Sequence, residues 1–331
     1  MRVTPVAQIP AGSPVRPVSD RQSGQPAPTP GIRIVEAHDD YQEPLIVCTY
    51  GEPGSGKSTL AGTGPGTIGL VPTERKSRQS VIRAAETWSR KVLMPDVDLI
   101  RTGNPMLVSI LPDVCITEDM QKYKGWKPSE IQAEMQDIAS KITLLGPQPG
   151  CCKRHYYRWH VNRVKSVAFQ FAAMEEVKTI VVDTFGQMMI DISYANYGQA
   201  PGVLDSKEFG FAPRQDMNHE ALDFLNQICC KNVVLTHHAA GVWKDNVPVK
   251  GQTKPDCKFN KVGHHTSIMI EQWGPSSIPV GQTHRYGLIV KDCQANASLI
   301  GRRDLLYDED INLPNLALEV YKGSDPAFWG L

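Results

Sequence analysis

The sequence predicts an α/β protein with a mostly parallel sheet flanked by helices, and three observations carry that expectation. Apolar runs of buried-strand type recur: "PLIVCTY" (Pro44–Tyr50), "TIGLVPTE" (Thr67–Glu74), "KTIVVDT" (Lys178–Thr184) and "NVVLTHH" (Asn232–His238). Segments of helical character lie between them. The runs are nearly continuous in apolar residues rather than alternating, which marks strands covered on both faces.

Taken in chain order, residues 1–31 are rich in Pro, Gly, Ser and Gln. Such a segment buries too little apolar surface to offset chain entropy, so a disordered tail is expected, followed by a single domain over 32–331. The first strand is Pro44–Tyr50. A helix starts at Ser58 and stops early at "GTGPG" (Gly62–Gly66). Thr67–Glu74 is the second strand and Lys76–Lys91 a helix. "VDLIRTG" and "MLVSI" are strand candidates, and Pro128–Gly146 is a helix closed by a "PQPG" break. The region around 102–176 is expected to be a helical insert, ending in a long helix over His155–Glu176. Lys178–Thr184 is a buried strand ending in Asp183. "HEALDFLNQICC" is a helix and Asn232–His238 a strand. After a polar loop, "TSIMIEQW" and "RYGLIVKDC" are the last strands.

Composition narrows the function classes. The chain has 331 residues with 35 basic and 35 acidic side chains. A balanced charge gives no global attraction to nucleic acid, so any such contact must be a local patch. The eight cysteines include no C-x-x-C pair. That spacing fits neither a zinc site nor a disulfide framework, so reduced thiols in a cytoplasmic setting are expected. No apolar stretch approaches the ~18–20 residues of a membrane span, and the N-terminus lacks the apolar region of a signal peptide.

The chemistry concentrates where the first strand meets the first helix. Gly51, Glu52, Pro53, Gly54, Ser55, Gly56, Lys57, Ser58 and Thr59 carry the Walker A pattern G-x-x-x-x-G-K-[ST]. Glycines let backbone N–H groups turn inward around phosphate oxygens, and the following helix aims its N-terminus at the same anion. Lys57 is placed to neutralise β- and γ-phosphates and the Ser58 hydroxyl to ligate Mg²⁺. The strand before and the helix after are the context that this motif demands, so ATP and Mg²⁺ are the expected ligands. Such a site needs a metal-orienting carboxylate from a neighbouring strand. Asp183 is the candidate, against the plain alternative of a strand-terminal Asp. Thr184, not Glu, follows it. Glu74, after the second strand, is a candidate for polarising the attacking water, against a role as dipole partner of the Lys76 helix.

Five segments, "GEPGSGKST", "LVPTE", "TIVVDT", "VVLTHH" and "LIVKD", spanning about Ile46 to Cys293, resemble the phage-encoded RecA-like P-loop ATPases, of the kind called AAA-family or single-strand-annealing recombination ATPases. The resemblance extends to the closing "LPNLALEVYKGSDPAFWG". It implies that Glu74 is the catalytic base and that Thr236 and His237 lie beside the γ-phosphate as sensors, the alternative for His237 and His238 being strand-end packing. It further implies that Lys291 reaches a neighbouring subunit's nucleotide. Cys293 stands where those families usually place an Arg, and Arg285 is a second candidate for that finger. The protein so implied is a homo-oligomeric, ring or filament ATPase acting with single-stranded DNA and recombination partners in phage DNA recombination, replication or repair.

"CCKRHYYRWHVNRVK" (Cys151–Lys165) carries five Lys or Arg and no acid. On a helix, Arg154, Arg158 and Lys165 form a basic stripe beside an apolar seam of Tyr157, Val161, Val164, Ala168 and Phe171. The seam is expected in the core. The stripe is either a solvated face or a track for a DNA backbone, with Tyr156 or Trp159 stacking on bases. Two other readings stand beside the ATPase. A small-molecule P-loop kinase is disfavoured because "HHAAGVWKDNVPVKG" after Thr236 lacks the arginines of a lid. A non-catalytic, nucleotide-gated binding module keeps Lys57 and Asp183 and makes Glu74 structural.

Overall fold

The computed structural model describes residues 43–74, 77–96, 127, 129–130, 133, 153–198, 212–244, 247–255 and 265–331. The expected tail, the "VDLIRTG" and "MLVSI" strands and nearly all of the Pro128–Gly146 helix lie outside these residues.

The apolar runs form the strands β1 (Ile46–Gly51), β2 (Thr67–Pro72), β4 (Val177–Asp183) and β5 (Asn232–Lys244). A two-residue strand β3 (Val92–Leu93), the ribbon strand β6 (Val247–Pro255) and the late strands β7 (Ile268–Trp273) and β8 (Gly287–Cys293) complete one sheet. Its order is β3-β2-β4-β5-β1-β7-β8, with β6 paired to β5. The pairings from β3 through β7 are parallel, while β8 runs antiparallel to β7 and β6 antiparallel to β5. The described part is therefore an α/β structure with a mostly parallel sheet flanked by helices.

Strand alternation divides the core into two layers. Ile180, Val182, Val233 and Leu235 face one side with the helices α3 (Lys153–Ala173), α4 (Phe185–Tyr197) and α5 (Ala212–Ile228). Val181 and Val234 face the other, with α1 (Lys57–Gly62), α2 (Ser77–Thr87) and α6 (Leu313–Val320). The α6 stripe Leu313, Leu316, Ala317 and Val320 has i, i+3, i+4, i+7 spacing and is buried. Asn312 caps it by accepting from Asn315 N at 2.8 Å, and Leu313 N donates to Thr63 Oγ1 at 2.8 Å, which ties the closing segment to the end of α1.

Several expectations are corrected. The second strand stops at Pro72, so Thr73 and Glu74 lie beyond the ladder. The Lys76–Lys91 helix ends at Thr87; Ser89 takes a left-handed φ of 53° and the chain turns into β3. No helix was expected over Phe185–Tyr197, and the polar loop after His238 is instead the β5–β6 ribbon. The long basic helix spans Lys153–Ala173, and its five-residue seam is buried as the spacing requires. Because that seam packs against the strands, the end of the expected insert is a crossover helix of the main layer.

Candidate functional site

The carboxyl ends of β1, β2 and β4 and the Thr236–His238 stretch of β5 meet at one edge of the sheet, where ligands of open α/β sheets bind. The Gly-rich turn leaves β1 there. A Cβ on Gly51 would stand 2.2 Å from the Gln272 carbonyl oxygen of β7, so only glycine fits between the two strands. Gly56, at φ 94°, holds the left-handed backbone immediately before α1. Lys57 is buried and its Nζ donates to the carbonyls of Gly51 (2.8 Å) and Glu52 (2.9 Å).

Asp183, at the tip of β4, is buried. It accepts from Ser58 Oγ at 2.9 Å and from the Thr236 hydroxyl. Burial pushes its carboxyl above the usual range, and the hydroxyls of Thr236 and Ser58 offset part of that rise. Thr73 aligns the β2 end with this corner. Its N–H donates to Asp183 O at 2.7 Å, and its hydroxyl oxygen accepts from Thr184 N at 2.6 Å. That register delivers Glu74 beside Thr184, whose Oγ1 donates to Glu74 Oε1 at 3.1 Å. His238 Nε2 meets the same oxygen at 3.0 Å. The His238 hydrogen bond foremost holds the Glu74 carboxyl below its usual range against partial burial, and Thr184 and the Lys57 charge act in the same direction.

Gly51–Thr59, Glu74, Asp183 and Thr236 are thus gathered at one corner. His237 is not among them. It is fully buried, with its ring edge-on to Phe185 at 5.6 Å, and the residue that shares the Thr236 face is His238. The correction follows from period two: residues i and i+2 of a strand face the same way, so Thr236 selects His238. Lys291 is held in its own chain by Glu271 of β7 at 2.5 Å. Of the basic stripe, Arg158 and Lys165 reach Glu220 of α5 at 2.6 and 2.7 Å, and Arg158 also reaches Asn196. Arg154 lines a hollow with Arg158, Asn196 and Asp216. Tyr156 is buried against Tyr157, which removes it as a base-stacking surface, and Trp159 carries the Arg163 guanidinium 4.6 Å from its ring centroid.

Sequence reasoning missed Thr73, Thr184, Gln272 and the residues bordering the turn. Gln272 accepts from Thr49 Oγ1 at 3.0 Å within the sheet and lines a cleft of about 640 Å³. The cleft begins at Gly54–Thr59 and continues past Arg285, Tyr286 and Asp308. Arg285, expected only as a second candidate for the finger, lines this cleft in its own chain. Tyr286 and Asp308 had no motif, and they come from two later segments joined by the Gly287–Tyr307 bridge.

The donors at the corner are oxygens, one hydroxyl and one carboxylate, next to a turn whose backbone tolerates no side chain at Gly51. Hard oxygen donors of this number fit Mg²⁺, which is commonly held by one or two carboxylates with substrate phosphates completing its shell.

No protein-family profile and no curated protein matches the chain. Among solved structures, the chain is similar to the flagellar accessory protein FlaH from Methanocaldococcus jannaschii. The identity is 10%, the match covers 76% of this chain and 79% of that one, and the TM-score is 0.29. No helix among the described residues is long and apolar enough to cross a membrane.

Proposed function

We propose that the protein is a Mg²⁺-dependent ATPase of RecA-like type. The observation that supports it most is the convergence of Ser58 and Thr236 on the buried Asp183, at the mouth of the Gly-rich turn, with Glu74 tied to the adjacent Thr184. Bound Mg²⁺ would spread the charge of the β- and γ-phosphate oxygens. Asp183 and Ser58 are the chain's groups for holding it. Lys57 exchanges the Gly51 and Glu52 carbonyls for phosphate oxygens. Glu74 is ionised at neutral pH and accepts a proton from water as the water oxygen attacks the γ-phosphorus and the bond to the β,γ-bridging oxygen breaks. His238 and Thr184 fix the Glu74 carboxylate in place for that transfer.

Glu74→Gln separates this reading from a non-catalytic nucleotide switch. An amide cannot take the proton, so turnover should fall about 10²–10⁴-fold while ATP affinity, measured by calorimetry with Mg²⁺, is retained. Lys57→Ala should weaken ATP binding as well as turnover. Hydrolysis at the wild-type rate by Glu74→Gln would remove the assignment of the base. The finer reading, a homo-oligomer acting with single-stranded DNA in recombination, replication or repair, rests on the five-segment resemblance. Turnover with and without single-stranded DNA tests it.

A further inference from the structure

We infer that Tyr286 is the stacking platform for the base of the bound nucleotide and that Asp308 is the residue that positions it. This rests on the nucleotide reading of the Gly-rich turn. The phosphates of a nucleotide at that turn leave its nucleoside to run outward. The cleft that starts on Gly54–Thr59 passes Tyr286, Asp308 and Ile311, and its volume of about 640 Å³ is that of a ligand pocket of ~300–1,000 Å³.

Tyr286 meets the turn by one edge of its ring. A Cβ on Gly56 would lie 3.9 Å from its Cδ1, and one on Gly274 would lie 3.2 Å from its Cε1. The ring is thus placed beside the last residue before α1 and lines the cleft that leads away from the turn. The Arg285 guanidinium lies 5.6 Å from the ring centroid and lines the same cleft. The backbone that carries this ring is held from outside the strand. Asp308 Oδ1 accepts from Arg285 N at 2.9 Å and from Tyr286 N at 2.8 Å. Asp308 N returns a hydrogen bond to Tyr286 O at 3.2 Å, and Asp308 Oδ2 meets His284 Nδ1 at 2.9 Å. His284 in turn stacks on Tyr307 with centroids 4.0 Å apart. This is more apparatus than a surface turn needs, and it fixes an aromatic ring at the mouth of a cleft. Every base has a π-face, so a stacked Tyr binds a nucleoside with little preference among bases.

The test uses two probes on the full chain: ATP and inorganic tripolyphosphate, each with Mg²⁺, measured by calorimetry. Tyr286→Leu keeps bulk against Gly274 but removes the aromatic face, and Tyr286→Phe keeps the face. The expected result is that Tyr286→Leu binds ATP about 10-fold more weakly, roughly one base–aromatic stack. Its tripolyphosphate affinity should be unchanged, and Tyr286→Phe should match wild type for both. Asp308→Ala should weaken ATP binding in the same selective way, and the fluorescence change of a bound etheno-adenine nucleotide should shrink in both Tyr286→Leu and Asp308→Ala. Equal ATP affinity in wild type and Tyr286→Leu would overturn the inference. So would a parallel loss of tripolyphosphate binding, because the ring would then be supporting the turn. If the wild-type protein bound neither probe, the nucleotide reading itself would fall, and this inference with it.

Discussion

At the scale of single residues, the corner is governed by two carboxylates whose surroundings push them in opposite directions. Asp183 is raised by burial, so its ionised form is penalised in the ligand-free fold. A raised folded-state pKa gives stability that is present below the unfolded value and lost as pH rises through the folded one. Asp183→Asn removes that loss, and its amide oxygen still accepts one hydroxyl. The ligand-free variant should therefore melt at a higher temperature than wild type at neutral pH, while its Mg²⁺-dependent stabilisation by ATP is largely lost. Scanning calorimetry with and without MgATP measures both. Glu74 is held low, chiefly by His238. Removing the imidazole with His238→Ala should let its pKa rise, so the acid limb of the pH–rate profile should move to higher pH. An unmoved acid limb would mean that another group sets it.

At the scale of elements, α3, α4 and α5 are joined by a polar knot, beside the buried His160–Asp191 pair that links α3 to α4 at 3.0 Å. Glu220 of α5 accepts from Arg158 and Lys165 of α3, and from Asn196 of α4 at 3.1 Å. Burial alone would raise the Glu220 carboxyl, but the two cations outweigh it and the net direction is down. Its stabilisation is thus present above the unfolded pKa and lost as pH falls through the folded one. Glu220→Gln should cost about 1–3 kcal/mol at neutral pH, as expected for charge-assisted bonds discounted for partial exposure. Its stability should also fall less on acidification, as urea titrations across the acidic range would show. The same knot explains why the basic stripe was legible and its use was not: helical spacing fixes which residues share a face, but the acid that meets them lies more than fifty residues away on another helix. The four apolar strand runs and the Gly-rich turn were readable because their signals are local. The Phe185–Tyr197 helix was not, since much of it is buried and it offers no polar stripe to mark a period. The β5–β6 ribbon was missed because "HAAGVWKDNVPVKGQTKP" is polar and Gly- and Pro-bearing, and its strand character comes from pairing rather than propensity.

At the scale of the whole molecule, the sheet ends on β8, an edge strand that carries Lys291. Its outer edge is partly paired by the segment that follows: Val290 N–H donates to Arg302 O at 3.0 Å, Gly301 N–H donates to Val290 O at 2.9 Å, and Gly287 bridges Tyr307. Within its own chain, Lys291 is paired with Glu271, and Glu271 also accepts from Thr253 of the ribbon. If Lys291 serves a neighbouring copy's nucleotide, it must leave Glu271 for the charge that develops on the transferred phosphate. A cation supplied in trans in this way can contribute ~10³–10⁵-fold in rate. Three outcomes follow together. Lys291→Ala should bind ATP normally and turn over slowly. Turnover per chain of the wild type should rise with protein concentration. Mixing Lys291→Ala with Glu74→Gln should recover part of the activity that each lacks alone, because one of the mixed interfaces carries an intact Glu74 and an intact Lys291. Glu271→Gln serves as the control, since it releases Lys291 without deleting it and should leave turnover at or above wild type. Sedimentation with a non-hydrolysable ATP analogue, with and without single-stranded DNA, reports the assembly directly. A protein that stays monomeric, with turnover per chain independent of concentration and no recovery on mixing, would leave Lys291 as a strut between β7 and β8 and place the whole reaction within one chain.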